Sequence, residues 1–225
     1  MTKNFKVRLT VSLFLLAIAT IFIFTFDSVP FKIFFGSFAL VSGLEMLSFF
    51  KKKAKILNII LFLIEIAFLV VSSIFVARID ALGIILLIFG VCGYDVFAYL
   101  FGNFMGGRIF KKSRPFPFVS KNKTWEGTFM GLLCSFVLVG IIMIITNSFD
   151  YMYLLCGPLA LVGDLFESFA KRRFDVKDSN EIVIKNNLFA KLEFLVGGSE
   201  GHGGYLDRID SMAFTATILL LFSIL

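Results

Sequence analysis

The chain has 225 residues, of which 58% are hydrophobic and 17% are charged, and its formal net charge is +6. Soluble domains are usually about half apolar and about a quarter charged, so this composition excludes an ordinary soluble domain and predicts an all-α polytopic membrane bundle. The positive charge does not call for nucleic acid. Lysine and arginine gather on the cytoplasmic side of membrane proteins, where anionic lipids and phosphates are natural partners.

Seven apolar segments are candidates for membrane-spanning helices, each of which needs about 20 apolar residues. In chain order they are Arg8–Phe26, Phe31–Phe50, Ile56–Val76, Ala81–Phe101, Gly127–Thr146, Tyr151–Ala170 and the shorter Ile209–Leu225. No internal repeat or low-complexity linker divides them. We therefore expect a single integral domain over residues 1–225, with the motif-bearing part at 91–225.

The loops between these segments alternate in charge. Lysine and arginine precede the first segment and fill every second loop, as in Lys51–Lys55, whereas the loops Asp27–Pro30, Ala77–Asp80 and Asn147–Asp150 hold almost none. By the positive-inside rule the N-terminus and both long polar loops are cytoplasmic. We expect a bacterial cytoplasmic (inner) membrane protein whose polar site faces the cytoplasm, where nucleotides are found.

Acidic residues within or beside apolar segments are costly unless they are paired, hydrated or metal-bound. Here they are Glu45, Glu65, Asp95, Asp164, Glu167 and Asp210. Glu65 lies in mid-segment, and its simplest interpretation is a helix–helix hydrogen bond. The others lie at predicted cytoplasmic ends and favour a site there.

Two stretches near the C-terminus combine carboxylates with cations or glycines. Asp164, Ser168 and Lys171 are spaced i, i+4, i+7 and share one helix face, where they can offer metal ligands and a phosphate-binding cation. The alternative is an interfacial helix end with a capping aspartate.

The second stretch is His202–Asp210. Its glycines permit close approach to phosphate oxygens, and Asp207 and Asp210 share a helix face suited to Mg²⁺. A flexible turn before an acidic helix start is the alternative interpretation.

Two further elements lie upstream. The stretch Ser120–Gly127 combines cations and a hydroxyl with the only tryptophan of the chain, although a basic interfacial loop with an aromatic anchor would look the same. The stretch Asp95–Gly102 places another carboxylate near a cytoplasmic end.

Together these motifs resemble the phosphatidate cytidylyltransferase (CDP-diacylglycerol synthase) family. That family carries Ser-x-x-Lys-Arg, four residues, Lys-Asp, then His-Gly-Gly-x-x-Asp-Arg-x-Asp, and this chain matches the first half at Ser168–Asp178 and the second at His202–Asp210. The stretches Gly163–Leu165, Lys123–Gly127 and Asp95–Gly102 also look like family elements.

The resemblance implies transfer of a cytidylyl group from CTP to phosphatidate in the inner leaflet, giving CDP-diacylglycerol and pyrophosphate. It implies catalytic roles for Asp164, Asp207, Lys171 and Asp210, and Mg²⁺ ligation by Asp164, Asp207, Ser168 and Asp210, with a second cation left open. The substrate-binding residues it implies are Ser168, Arg172, Lys177, Asp178, His202, Gly203, Gly204, Arg208, Lys123, Trp125 and Asp95.

One departure concerns the link between the two half-motifs. The family has a short link rich in glycine and proline, whereas here Ser179–Gly201 intervenes. A surface insertion is energetically tolerable, but this one could alter substrate access, add a lid or accompany lost activity. A CTP-dependent polyprenol or lipid-alcohol kinase and an inactive membrane homologue are therefore the alternatives. Acyl-chain preference and homodimer formation stay open.

Overall fold

The computed structural model describes residues 28–50, 56–110, 114–120, 123–173 and 206–224; at the helix ends 45–50, 56–58 and 206–208 only the backbone is described. Within these ranges the chain is all-helical, without a strand. The helices are α1 Val29–Phe50, α2 Ile56–Arg78, α3 Ala81–Met105, α4 Trp125–Thr146, a 3₁₀ helix Tyr151–Leu155, α5 Cys156–Arg173 and α6 Leu206–Ile224.

The helices follow six of the seven predicted segments, with shifts at their ends. The largest differences are that α3 continues to Met105 and that the predicted segment from Tyr151 opens as a 3₁₀ helix. The first predicted segment, Arg8–Phe26, lies outside the described residues.

Four stretches of the described chain are long and apolar enough to cross a membrane, namely Ile59–Arg78, Ala81–Met105, Trp125–Thr146 and Tyr151–Arg173. Shorter apolar stretches are Val29–Leu44 and Ile209–Ile224. The count of seven spans and the orientation of the N-terminus remain predictions.

Small residues bring α3 and α4 into their close contact, which is the most extensive between any two of these helices. A Cβ atom added to Gly127 would lie 2.5 Å from the carbonyl oxygen of Ala98, and one added to Gly131 would lie 2.8 Å from the Ala98 Cβ. Glycine and alanine at such contacts let helix backbones touch, as is common in membrane bundles. The C-terminal half of α3 is thereby fixed against the N-terminal half of α4.

A similar close contact joins α5 to α6. A Cβ atom on Gly163 would lie 2.9 Å from the Phe214 Cβ and 3.1 Å from the Ser211 Cα. Gly163 immediately precedes Asp164, and Ser211 immediately follows Asp210. The two acidic positions therefore each adjoin a residue of the contact between α5 and α6.

Candidate active site

A cavity of about 770 Å³ opens where the C-terminal end of α3 meets the N-terminal end of α4, with Asp164 of α5 in its wall. Polar and small residues dominate its lining. The lining residues include Asp95, Tyr99, Gly107, Phe110, Lys123 and Asp164.

One wall of the cavity is a single face of α3. Asp95, Ala98, Tyr99 and Gly102 are spaced i, i+3, i+4, i+7, which places them on one side of a helix, and all four line the cavity. Asp95 is exposed, although it lies within an apolar membrane-spanning helix. The Asp-x-x-Ala-Tyr-x-x-Gly pattern that contributed to the resemblance therefore forms a continuous cavity surface.

Lys123 and Asp164 form an ion pair across the cavity. Their side chains retain only 17% and 32% of their solvent exposure, respectively. The Lys123 Nζ also lies 5.7 Å from the centroid of the Tyr94 ring. Lys123 is placed here by the start of α4, where the Thr124 Oγ1 accepts a hydrogen bond from the Gly127 N–H at 3.2 Å.

The sequence predicts that Asp164, Ser168 and Lys171 share one face of α5, and the first two of these residues contact each other. The Ser168 Oγ donates a long hydrogen bond of 3.4 Å to the Asp164 Oδ1, so these two residues do meet. Lys171 instead forms an ion pair of 2.6 Å with the Glu167 Oε2, one turn earlier on the helix. Glu167 is almost fully buried. Neither Ser168 nor Lys171 is among the described residues that line the cavity.

Acidic residues of α2, α3, α5 and α6 lie close enough to act on one another. The charges of Asp164, Asp210 and Lys123 act on Asp95, and those of Asp210 and Lys171 act on Glu65. The Asp210 Oδ1 accepts a hydrogen bond of 2.7 Å from the Ser211 N–H.

The sequence predicts a helix–helix hydrogen bond for Glu65. Glu65 is buried, with 4% of its surface exposed. Its Oε1 has no hydrogen-bond partner among the described residues, so that bond is not seen at this oxygen.

The remaining predicted site residues fall into three groups. Trp125 is half-buried outside the cavity lining and stacks on Phe129, and Arg172 is exposed at the end of α5. Asp207 and Arg208 belong to the first turn of α6, but only their backbone is described. The predicted residues outside the described ranges are Lys177, Asp178, His202, Gly203 and Gly204.

Glu126 is a site-forming residue to which the sequence assigned no role. It is 4% exposed, and its Oε1 accepts hydrogen bonds of 3.0 Å from the N–H groups of Gly107, Ile109 and Phe110. An acidic residue in the first turn of a helix is ordinarily explained by the helix dipole. Its real partners lie 16 to 19 residues away in the chain, a distance that spacing alone does not reveal.

Fold and site together define a polytopic helical membrane protein with a polar, charged cavity at one end of its bundle. Residues 77–184 match the sequence model of the "Cytidylyltransferase family". The match agrees with the resemblance that the motifs indicate, and the matched residues include the whole described cavity lining. The match ends within Ser179–Gly201, the segment that departs from the family pattern.

Several curated bacterial proteins named phosphatidate cytidylyltransferase are similar to this chain. The protein of Rickettsia felis is 33% identical over 133 residues, which cover 54% of this chain and 52% of the relative. The protein of Staphylococcus saprophyticus is 36% identical over 131 residues, which cover 56% of this chain and 42% of the relative. The protein of Helicobacter pylori is 36% identical over 149 residues, which cover 62% of this chain and 46% of the relative. The chain thus spans about half the length of the curated relatives it matches.

Proposed function

We propose that this protein transfers the cytidylyl group of CTP to phosphatidate, producing CDP-diacylglycerol and pyrophosphate. The observation that carries the proposal is the cavity, whose α3 wall, Lys123 and Asp164 all lie within the family-matched residues 77–184. The names of the similar bacterial proteins support the choice of substrates.

The reaction makes modest demands on acid–base chemistry. A phosphate oxygen of phosphatidate attacks the α-phosphorus of CTP, and pyrophosphate leaves in line from the opposite side. The nucleophile is already an anion, so no strong base is needed. The main requirement is to hold two polyanions together, which calls for positioning and charge neutralisation.

The described residues suit that requirement. Lys123 places a cation in the cavity beside Asp164, and an incoming phosphate can take over its ion pair. Lys171 and Arg172 lie in the last turn of α5, and the proposal assigns them to phosphate binding. The proposed phosphate- and nucleotide-binding groups outside the described side chains are Lys177, His202, Gly203, Gly204 and Arg208.

The carboxylates fit a divalent cation by the chemistry of their oxygens, although no three acidic, histidine or cysteine residues among the described ones converge into a metal site. Asp95 lies within range of the charges of Asp164 and Asp210, which favours a bound cation. We propose Asp164, Asp207, Ser168 and Asp210 as Mg²⁺ ligands. A bound Mg²⁺ would neutralise phosphate charge and stabilise the leaving pyrophosphate.

The arrangement in the membrane follows from the charge pattern of the loops. The proposal places seven spans in a bacterial inner membrane, with the N-terminus and the cavity on the cytoplasmic side. Phosphatidate keeps its acyl chains in the bilayer, so the site must open sideways to the inner leaflet.

A labelling experiment tests this function against its alternatives. Purified protein receives phosphatidate, Mg²⁺ and CTP labelled either in the cytosine ring or in the γ-phosphate. Ring label in chloroform-soluble lipid supports cytidylyl transfer. Label from the γ-phosphate alone, with a polyprenol or other lipid alcohol as acceptor, identifies the kinase. No transfer of either label by folded protein identifies an inactive homologue.

A further inference from the structure

The segment that follows α3 forms part of the rim of the cavity and is hydrogen-bonded to one side chain of α4. Gly106, Gly107 and Phe110 line the cavity, and Gly107 has a left-handed backbone with φ of 76°. The segment Gly106–Phe110, here called the rim, is tied to α4 by the Glu126 Oε1, which accepts three of its N–H groups. Hydrogen bonds to an ionised acceptor are stronger than neutral ones.

The rim separates two different surfaces. On its inner side the cavity presents the carboxyl groups of Asp95 and Asp164 and the amino group of Lys123. Beyond the cavity lining, Ile109 is 64% exposed, and Phe110, which lines the cavity at its edge, is 44% exposed.

Aromatic rings continue the outer surface. The Phe110 ring lies 6.4 Å from that of Trp125 and 6.5 Å from that of Phe129, which is itself 54% exposed. A substrate with an anionic head and apolar tails matches this boundary. CTP has no apolar tail that would use it.

We infer that Glu126 is a positioning residue for the lipid substrate. By fixing the rim it holds Phe110 at the edge of the cavity, so that the phosphate head lies inside while the acyl chains lie against the apolar outer surface. This inference rests on the proposed function for the identity of the lipid. It adds a role for a carboxylate that takes no part in the chemistry.

The chain offers an optical probe at the contact itself. Trp125 is its only tryptophan, and its ring contacts Phe110 of the rim. Trp125 fluorescence therefore reports on the rim without any need for turnover. The test compares the emission spectrum and acrylamide quenching of wild-type protein with those of Glu126→Ala and Glu126→Gln.

Release of the rim should expose Trp125. In Glu126→Ala we expect the Trp125 emission to shift to the red and acrylamide to quench it more strongly. We also expect the KM for phosphatidate to rise about tenfold, the size expected for the loss of charge-assisted hydrogen bonds. The KM for CTP should stay within about twofold, because the clamp acts on the lipid side alone. Glu126→Gln retains a carbonyl oxygen that can accept the same N–H groups. Its Trp125 fluorescence and its KM for phosphatidate should therefore lie close to those of the wild-type protein.

Asp80→Ala is the matched control. Its carboxylate also accepts a backbone N–H at a helix start, that of Gly83 at 2.8 Å, but it lies at the opposite end of α3 from the cavity. This variant should lose stability without changing Trp125 emission or the KM for phosphatidate. If Asp80→Ala and Glu126→Ala behave alike, or if Glu126→Ala raises both KM values equally, Glu126 is only structural and the inference is wrong.

A titration separates this inference from the proposed function. Dioctanoyl phosphatidate added to wild-type protein should change Trp125 fluorescence, dioctanoyl phosphatidylcholine should not, and Glu126→Ala should need about tenfold more phosphatidate. This pattern in a protein that transfers no cytidine would retain the rim clamp and overturn the proposed reaction. Cytidine transfer with no specific response to phosphatidate would retain the reaction and overturn the clamp.

Discussion

Lys123 and Asp164 form an ion pair that links the residue before the N-cap of α4 to the middle of α5. Both side chains are largely shielded from water, so the pair differs from an exposed surface salt bridge, which contributes little. Removing one partner leaves the other charge poorly compensated. The pair also keeps a cation beside a proposed metal ligand in the absence of substrate.

Replacing Lys123 by methionine should damage both stability and catalysis. We expect a loss of about 1–3 kcal/mol in unfolding free energy and a fall of about 100-fold in kcat/KM, the size seen when one charge-stabilising group is removed. Thermal unfolding in detergent and labelled-CTP assays measure the two effects. The double variant Lys123→Met/Asp164→Asn should unfold at nearly the same temperature as Asp164→Asn alone; strictly additive losses would show that the pair is not coupled.

Asp164 and Ser168 should differ in their importance. Asp164→Asn removes a proposed Mg²⁺ ligand and should lower kcat by about 1,000-fold, whereas Ser168→Ala removes a neutral oxygen and should cost about tenfold. The half-saturating Mg²⁺ concentration should rise in both variants. Asp150→Asn, at the start of the 3₁₀ helix, is the control and should keep the wild-type Mg²⁺ dependence. Equal Mg²⁺ dependence in all four proteins would remove Asp164 from the metal site.

Two glycines of α4 provide a matched test of the contact between α3 and α4. A Cβ at Gly131 would lie 2.8 Å from the Ala98 Cβ and 2.9 Å from the Tyr94 carbonyl oxygen, whereas one at Gly140 would meet nothing within 4 Å. Gly131→Ala should therefore destabilise the protein by about 1–3 kcal/mol and reduce activity. Gly140→Ala should leave both unchanged or raise stability slightly, and comparable melting temperatures for the two variants would contradict the close contact.

The second half-motif can be tested at Asp207, which lies in the first turn of α6, three residues before Asp210. Asp207→Ala should abolish incorporation of cytosine label into lipid, by about 1,000-fold or more, while a two-turn-distant change such as Thr215→Ser on the same helix should not. Both proteins should elute as folded monodisperse species. Persistent labelling in Asp207→Ala would retain the reaction and remove this residue from the metal site.

The sequence predicts the positions of the helices better than it predicts which side chains contact one another. Hydropathy located the six described helices because about 20 apolar residues are required to cross a bilayer. Asp95, Lys123 and Asp164, which the motifs name as site residues, all line one cavity. The spacing of Asp164, Ser168 and Lys171 places them along one helix, but the prediction left out Glu167, which lies four residues before Lys171 and pairs with the same cation.

Tertiary contacts account for what spacing could not show. The three N–H donors to Glu126 come from a turn whose path depends on Gly107 and on the end of α3 at Met105, four residues beyond the predicted Phe101. The environment of Glu65 depends on Asp210 and Lys171 from two other helices. Neither arrangement follows from a local pattern.

The contact of Gly163 with Ser211 and Phe214 has a consequence for how such proteins diverge. The mutual register of α5 and α6 is set by this contact between the helices themselves, and hence so is the spacing of Asp164 and Asp210. The number of residues that connect the two helices can then change between relatives while the paired acidic positions keep their places. Preservation of the glycine, rather than the length of the connection, is the better criterion for an intact site in sequences of this kind.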